Sequence, residues 1–241
     1  MNNQSKAVAT DGAVYFGYCD VMTGSVGVGQ TAEMSASICM PNSISKLYAG
    51  KTITKIRIGL YNDCTNVSVW IRNSLDGTNV IVQTAGNVNK GWTEITLSTP
   101  FTIPANDFYI GYTATGWQQI GLGGIFYENL DNNNGKIWDS NSGWIDYRAN
   151  VCIQALIDTH GENVFALSPE SMKKSIQDNP NQNFTIQGFV RNLSTINITS
   201  VKVVYQIDNQ VSVEKAIPFS IMPMKADSIN ILIDAIPPSS A

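Results

Sequence analysis

Charge is scarce in this sequence. Only 14% of its 241 residues are Asp, Glu, Lys or Arg, and the formal net charge is -4. Without a cationic field there is nothing to hold a polyanionic backbone or an anionic bilayer surface, so nucleic acid is not an expected partner. Long apolar runs are missing too: none approaches the roughly 20 residues that span a bilayer, and no direct membrane insertion is expected. The start, Met1-Asn2-Asn3-Gln4-Ser5-Lys6, is polar throughout and lacks the parts of a signal peptide, so an exported protein would be represented here by its mature portion. Histidine occurs once, at His160. Acyl transfer needs a nucleophile, a base and an orienting group within reach of one another, and neither a G-x-S-x-G elbow nor a cysteine-protease signature accompanies that histidine. Beside Gly161, it reads as a solvated residue at a domain junction. Helical periodicity is nearly absent as well.

In place of charge, Asn, Ser, Thr and Gly carry the polarity, a composition common in extracellular β proteins. The expected location is therefore secreted, cell surface or periplasmic. Short apolar or alternating runs recur between turn clusters. They predict strands near Val14-Cys19, Thr31-Met40, Ile53-Tyr61, Val67-Arg72, Val80-Thr84, Thr93-Leu97, Phe108-Thr113, Gln119-Gly123, Lys136-Asp139 and Val151-Asp158. Ten strands over about 150 residues suit two facing sheets. Alternation sets Ile56, Ile58 and Leu60 on one inward face and Val67, Val69 and Ile71 on another. Trp70 then points the opposite way, exposed or covered by a strand or by the second domain. Asp76-Gly77 signals a tight hairpin in which the glycine takes positive φ, and Asp131-Asn132-Asn133-Asn134-Gly135 signals a loop.

Composition shifts near Asp158-Glu162, and five further alternating segments follow: Val164-Leu167, Phe184-Arg191, Ser200-Ile207, Val211-Ile217 and Ser228-Ile233. A helical turn is expected over Pro169-Ile176, capped by Ser168. An immunoglobulin-like sandwich uses seven or more strands in about 100 residues. The second domain is therefore expected to be cut short at Ala241, or to take its last strand from a partner. The fold class is all-β: a jelly-roll-like β-sandwich over 14–159 followed by an incomplete immunoglobulin-like β-sandwich over 160–241, with 1–13 disordered or extraneous.

Cys19, Cys39, Cys64 and Cys152 allow three complete pairings, and no spacing forms C-x-x-C or a zinc knuckle. Each lies in or beside a strand-like segment, where a thiol behaves as a small buried hydrophobe. Unpaired structural cysteines are the leading reading, one or two disulfides the second, and a metal or redox role the last.

The words Ile53-Thr54-Lys55-Ile56-Arg57-Ile58-Gly59-Leu60, Val67-Ser68-Val69-Trp70-Ile71, Gly91-Trp92-Thr93-Glu94-Ile95-Thr96-Leu97, Phe108-Tyr109-Ile110-Gly111-Tyr112 and Cys152-Ile153-Gln154-Ala155 follow one another in an order that matters. That order resembles the jelly-roll domain repeated in secreted or outer-membrane multidomain proteins of Bacteroidetes-type bacteria. There it stands beside streptopain-like peptidases, thioredoxin-domain outer-membrane lipoproteins and adhesins. The likeness covers about residues 14 to 158, and the second domain resembles, more weakly, the immunoglobulin-like repeats that follow such modules. The resemblance implies an accessory role at a surface or in the periplasm, beside a domain not present here, and it transfers no catalytic residue.

Acids that could serve a glycosidase are Asp63, Glu94, Asp107, Glu128, Asp131, Asp139 and Asp146. Each stands singly in a turn or on a polar strand face, and no E-x-D-x-x-E strand groups them. Asp131, Asn133, the Gly135 carbonyl and Asp139 occupy positions one, three, five and nine of a calcium-loop pattern, whose acidic anchor at twelve is here Ser142. A weak structural calcium is thus set against a plain Asn-rich turn, and no other cofactor is expected.

Aromatics give the stronger functional hint. Trp117, Phe126, Tyr127, Trp138, Trp144 and Tyr147 crowd a loop-rich stretch with Gln118, Gln119, Asn129 and Asp146. Sugar-binding faces need flat apolar platforms with amide and carboxyl groups beside them, although such aromatics commonly plug sandwich cores instead. The candidate ligand set is Trp117, Gln119, Tyr127, Trp138, Trp144 and Tyr147. The leading expectation is a non-catalytic adhesion module that takes a glycan or a host-surface protein. A structural spacer presenting a missing C-terminal domain of the same protein comes second, and a glycoside hydrolase third.

Overall fold

The computed structural model describes residues 13–19, 22–123, 135–139, 142–147, 149–160, 167–173, 184–205, 212–223 and 225–233. The chain divides into two compact units, Met1–Val164 and Phe165–Ala241. Both are all-β.

Among its described residues the first unit holds β1 (Ala13–Gly17), β2 (Met22–Met40), the helical turn α1 (Asn42–Ser45), β3 (Thr52–Leu60), β4 (Cys64–Arg72), β5 (Asn79–Val88), β6 (Gly91–Thr102), β7 (Phe108–Gly123), β8 (Gly135–Asp139), β9 (Gly143–Tyr147) and β10 (Ile153–Asp158). All pairings are antiparallel, and they run in two series, β1-β10-β3-β6 and β5-β4-β7-β2-β8-β9. One pairing, Leu60 with Ile120, stitches the two series together.

Period-two alternation decides which residues fill the sandwich. From the first series come Val14, Phe16, Ile56, Ile58, Leu60, Ile95, Ile153, Ala155 and Ile157, and from the second Met34, Ala36, Ile38, Val67, Val69, Ile71, Ile110 and Tyr112, all buried. Phe101 of β6 and Phe108 of β7 meet at a ring separation of 5.3 Å. Each such aliphatic side chain contributes about 1.5–3 kcal/mol by leaving water. The inward sets expected on β3 and β4 are therefore the observed ones.

Other expectations need correction. The single strand β7 replaces two expected strands, because it pairs through its small central residues Ala114 and Gly116 with the still longer β2. The Gly-rich start of β2 is itself strand from Met22 onward, with register shifts absorbing the irregularity. Asn79 pairs with Arg72 across the β4–β5 connection, and Gly77 is not among the positive-φ residues. The connection is thus a six-residue turn, 73–78, closed by Gly77 N–H donating to the Ser74 carbonyl at 3.0 Å. The glycine is there for close approach: an added Cβ would sit 2.6 Å from Ser74 Oγ. β9, unforeseen as a strand, starts at Gly143 with φ of 68°.

The second unit holds β11 (Leu167–Lys173), β12 (Phe184–Asn192), β13 (Ile198–Tyr205), β14 (Val213–Ile221) and β15 (Ala226–Ile233). Sheets β11-β12-β15 and β13-β14 share a core of Val190, Ile221, Ile229 and Ile231, with Val201, Val203, Ile217 and Phe219 packed against it. The helical turn expected from Pro169, with Ser168 as its cap, is corrected by β11, which is extended through Lys173. β11 is an edge strand whose register shifts between Pro169 and Ser171. Edges and bulges are where a sheet tolerates a residue without N–H.

Candidate ligand-binding face

The outward side of the β5-β4-β7-β2-β8-β9 series is built by register. Trp144 stands opposite Trp138, Trp138 opposite Ser35, Ser35 opposite Thr113, Thr113 opposite Ser68, and Ser68 opposite Thr84. These six positions form one row across six strands. A second row runs Asp146, Lys136, Ser37, Gly111, Trp70 and Val82. Directly opposed side chains share a side of the sheet with Cβ atoms about 4.5–5.5 Å apart, so the Trp138 and Trp144 side chains leave the sheet next to each other on this side. Both are half-buried.

Hydroxyls lie next to this indole pair. Ser35 Oγ and Thr113 Oγ1 are 2.7 Å apart, and Thr113 Oγ1 also accepts from Trp70 Nε1 at 3.1 Å. Ser37 donates to the Ile110 carbonyl at 3.0 Å. Lys136 and Asp146 form an ion pair at the far end of the second row, with the carboxylate side mostly exposed. Ser35 and Ser37 are buried and their hydroxyls are engaged within the sheet, so what this side leaves for a ligand is the half-buried indoles and the Lys136–Asp146 pair, ring surface beside charged groups of the kind a sugar ring and its hydroxyl edge can use.

Trp70 belongs to the same side, yet it is only 1% exposed. The covering element is a strand of its own unit: Trp144 meets Trp70 edge to face at 6.0 Å. On its other flank the Arg72 guanidinium lies 3.9 Å from the Trp70 ring centre, and burial lowers the pKa of that arginine. Arg72 is fixed by Nε donating to Asn79 Oδ1 at 2.7 Å and Nη1 donating to the Leu75 carbonyl at 3.1 Å. The indole can lie so flat because Gly111 is beneath it; a Cβ there would come within 2.4 Å of the ring.

Of the expected ligand set, only Trp138 and Trp144 are seen together. Tyr147 stands opposite Gly135, and Gly135 opposite Ile38, so alternation puts Tyr147 on the inward side, away from the indole pair. Trp117 and Gln119 are β7 positions opposite Thr31 and Gly27, but their side chains lie outside the described residues, as do Tyr127, Asp131 and Asn133 altogether. Of the expected calcium ligands, the Gly135 backbone lies within the described residues and the Asp139 side chain does not. Gly135 to Asp139 is continuous strand between β2 and β9. Among the described residues no group of three or more His, Cys, Asp or Glu converges.

The described candidate acids are engaged separately. Asp63 Oδ1 accepts from Lys90 N–H at 2.8 Å, Asp107 Oδ1 from Asn42 N–H at 2.5 Å, and Asp146 from Lys136. Glu94 accepts from Tyr15 and Lys55. Cys39, opposite Tyr109 on this outer side, has its thiol pushed up to about 11 by burial and by Asp107 nearby. Cys64 is also raised, by burial and then Asp63. Neither is a ready nucleophile at neutral pH. His160 has positive φ, 53°, and its Nδ1 lies 3.5 Å from Asp158 Oδ1 on an exposed turn.

A second polar cluster escaped the sequence reading. On the outward side of β1-β10-β3-β6, Arg57 is sandwiched by Tyr15 and Trp92, at 5.7 and 4.6 Å from their ring centres. Its Nη1 donates to Gln154 Oε1 at 3.3 Å. Tyr15 hydroxyl and Lys55 both bond Glu94. Burial and then the Glu94 contact push Tyr15 up to about 12, while the Tyr15 hydrogen bond and then Lys55 hold Glu94 below its ordinary range. The available signal was the opposed charge of Arg57 and Glu94 on two adjoining alternating strands.

No protein-family model matches the chain, and no curated protein matches it in sequence. Two solved structures are similar over 61% of this chain. One is a variant of the clostridial cysteine protease Cwp84 after propeptide cleavage, at 10% identity and a TM-score of 0.47. The other is the cysteine protease and lectin-like domains of Cwp84, a surface-layer associated protein of Clostridium difficile, at 9% identity and a TM-score of 0.47. The chain spans 40% and 36% of the lengths of those two proteins.

Proposed function

We propose that the first unit is a non-catalytic adhesion module of an exported surface or periplasmic protein, and that it takes a glycan on the outward side of β9-β8-β2-β7. The observation that carries this reading is the cross-strand pair Trp138–Trp144 with the Ser35 and Thr113 hydroxyls continuing its row. Two half-buried indoles supply apolar stacking area, and the Lys136–Asp146 pair in the next row supplies direction. Separately engaged acids, raised Cys39 and Cys64 thiols and an exposed His160 support binding without chemistry. The test is a glycan and matrix-protein array probed with the full chain, with Trp138→Ala and with Trp144→Ala. Glycan signals that fall in both variants support the reading. Signals on matrix proteins alone would move the partner class to a host-surface protein.

One observation favours a second reading, a structural spacer. Trp144 spends part of its surface against Trp70, as a cap on a buried indole would. In that case Trp144→Ala lowers stability and no glycan binds the intact chain.

A further inference from the structure

The antiparallel register of β1 and β10 pairs Ala13 with Asp158 and Gly17 with Gln154. Continued by two residues, it brings Cys19 directly opposite Cys152. The two sulfurs lie 2.7 Å apart, both buried, although the residues stand 133 positions apart in sequence. Each backbone is separately anchored. Gln154 Nε2 donates to the Cys19 carbonyl at 2.6 Å, and Gly59 N–H donates to the Cys152 carbonyl at 2.8 Å. Gly59 also makes the room for the thiol, since a Cβ there would lie 2.7 Å from Cys152 Cβ and 2.9 Å from Met22 Sδ. Directly opposed cross-strand positions have Cβ separations that overlap those of disulfides, about 3.5–4.5 Å.

We infer that Cys19 and Cys152 are a built cross-link site that closes to a disulfide and fastens the edge strand β1 to β10. The oxidant is a small-molecule disulfide such as oxidised glutathione. One cysteine thiolate attacks a sulfur of that disulfide and releases one glutathione thiolate. The second cysteine thiolate then attacks the protein sulfur of the mixed disulfide and releases the other. Two protein thiols lose two protons and two electrons, one S–S bond forms, one breaks, and two glutathione thiols result. Because both sulfurs are buried, exchange takes place during folding or when the end of β1 opens. Cys39 and Cys64 have no such opposed partner: the former pairs in register with Tyr109 and the latter with Val88.

The test uses the full chain, refolded in a reduced and oxidised glutathione mixture, alkylated in denaturant, and cut with trypsin and chymotrypsin to separate Cys19 from Cys39. Mass spectrometry is expected to find the Cys19 and Cys152 peptides joined and two hydrogens lighter than their sum, with Cys39 and Cys64 alkylated. Dithiothreitol releases the pair. The denaturation midpoint of the wild type falls on reduction, whereas that of the Cys19→Ser/Cys152→Ser variant, folded by near-ultraviolet circular dichroism, does not respond to the reductant. Full alkylation of both residues at a poise that oxidises a control protein, or pairing of either with Cys39 or Cys64, would overturn the assignment. So would a midpoint that is equally sensitive to reductant in the double variant.

Discussion

The two outward sides of the first unit use the same kinds of residue to different ends. On β1-β10-β3-β6, Arg57 is closed between Tyr15 and Trp92 and bonded to Gln154, while Glu94 is shared by Tyr15 and Lys55. Its charges and rings satisfy one another. On the other side, Trp70 is likewise closed, by Arg72, Thr113 and Trp144, but Trp138 and Trp144 remain half-buried. An aromatic and polar sheet face is therefore not in itself a binding face. What distinguishes one is ring area left over after the internal contacts are made.

Substitutions on both sides put that contrast under strain. The largest effect is expected for Trp70→Ala. It removes a large buried side chain from between Arg72 and Trp144 and should cost about 3–5 kcal/mol in urea unfolding. Thr113→Val comes next. The Trp70 Nε1–H loses its acceptor and Ser35 its partner in a packed setting, for about 1–3 kcal/mol. If Trp138 serves a ligand, Trp138→Ala should cost less stability than either change, measured in the same denaturant series.

The smallest effect concerns pH on the opposite side. Glu94 has a depressed folded pKa, so its contribution is present above the unfolded value of about 4.3 and is lost as pH falls through the lower folded value. Glu94→Gln should therefore flatten the loss of stability below about pH 4.5, by a modest amount because the group is partly solvated. At the alkaline end the sign reverses. Tyr15, raised to about 12, stabilises fully below the ordinary tyrosine value of about 10, and that contribution is lost as pH rises toward 12. Tyr15→Phe should reduce the alkaline loss, and buried Tyr48 and Tyr112, also raised by burial, should retain part of it.

Sandwich architecture was legible because alternation is a local property: Ile56, Ile58 and Leu60 declare an inward face wherever their strand pairs. Register is not local. Trp138 and Trp144 were picked out by composition, but nothing in the sequence states that they stand opposite each other, or that Tyr147 alternates to the other side. The opposition of Cys19 and Cys152 was hidden for the same reason, since it depends on a pairing across 133 residues. Pro169 misled because a proline at the first turn of a helix and one at a bulge on an edge strand share the same local signal. Trp70 was correctly set on the outward side, and its covering by β9 required a strand that the Asn-rich stretch concealed.

Whether the exposed part of the Trp138–Trp144 pair is binding surface decides the functional reading. Its most direct test is a calorimetric titration of the strongest array glycan into the full chain and into Trp138→Ala, with denaturant midpoints measured in parallel. The expected result is a loss of affinity of at least about tenfold, about 1.4 kcal/mol, with the variant still fully folded at the titration temperature. Unchanged affinity, or no glycan bound by the intact chain, would contradict it.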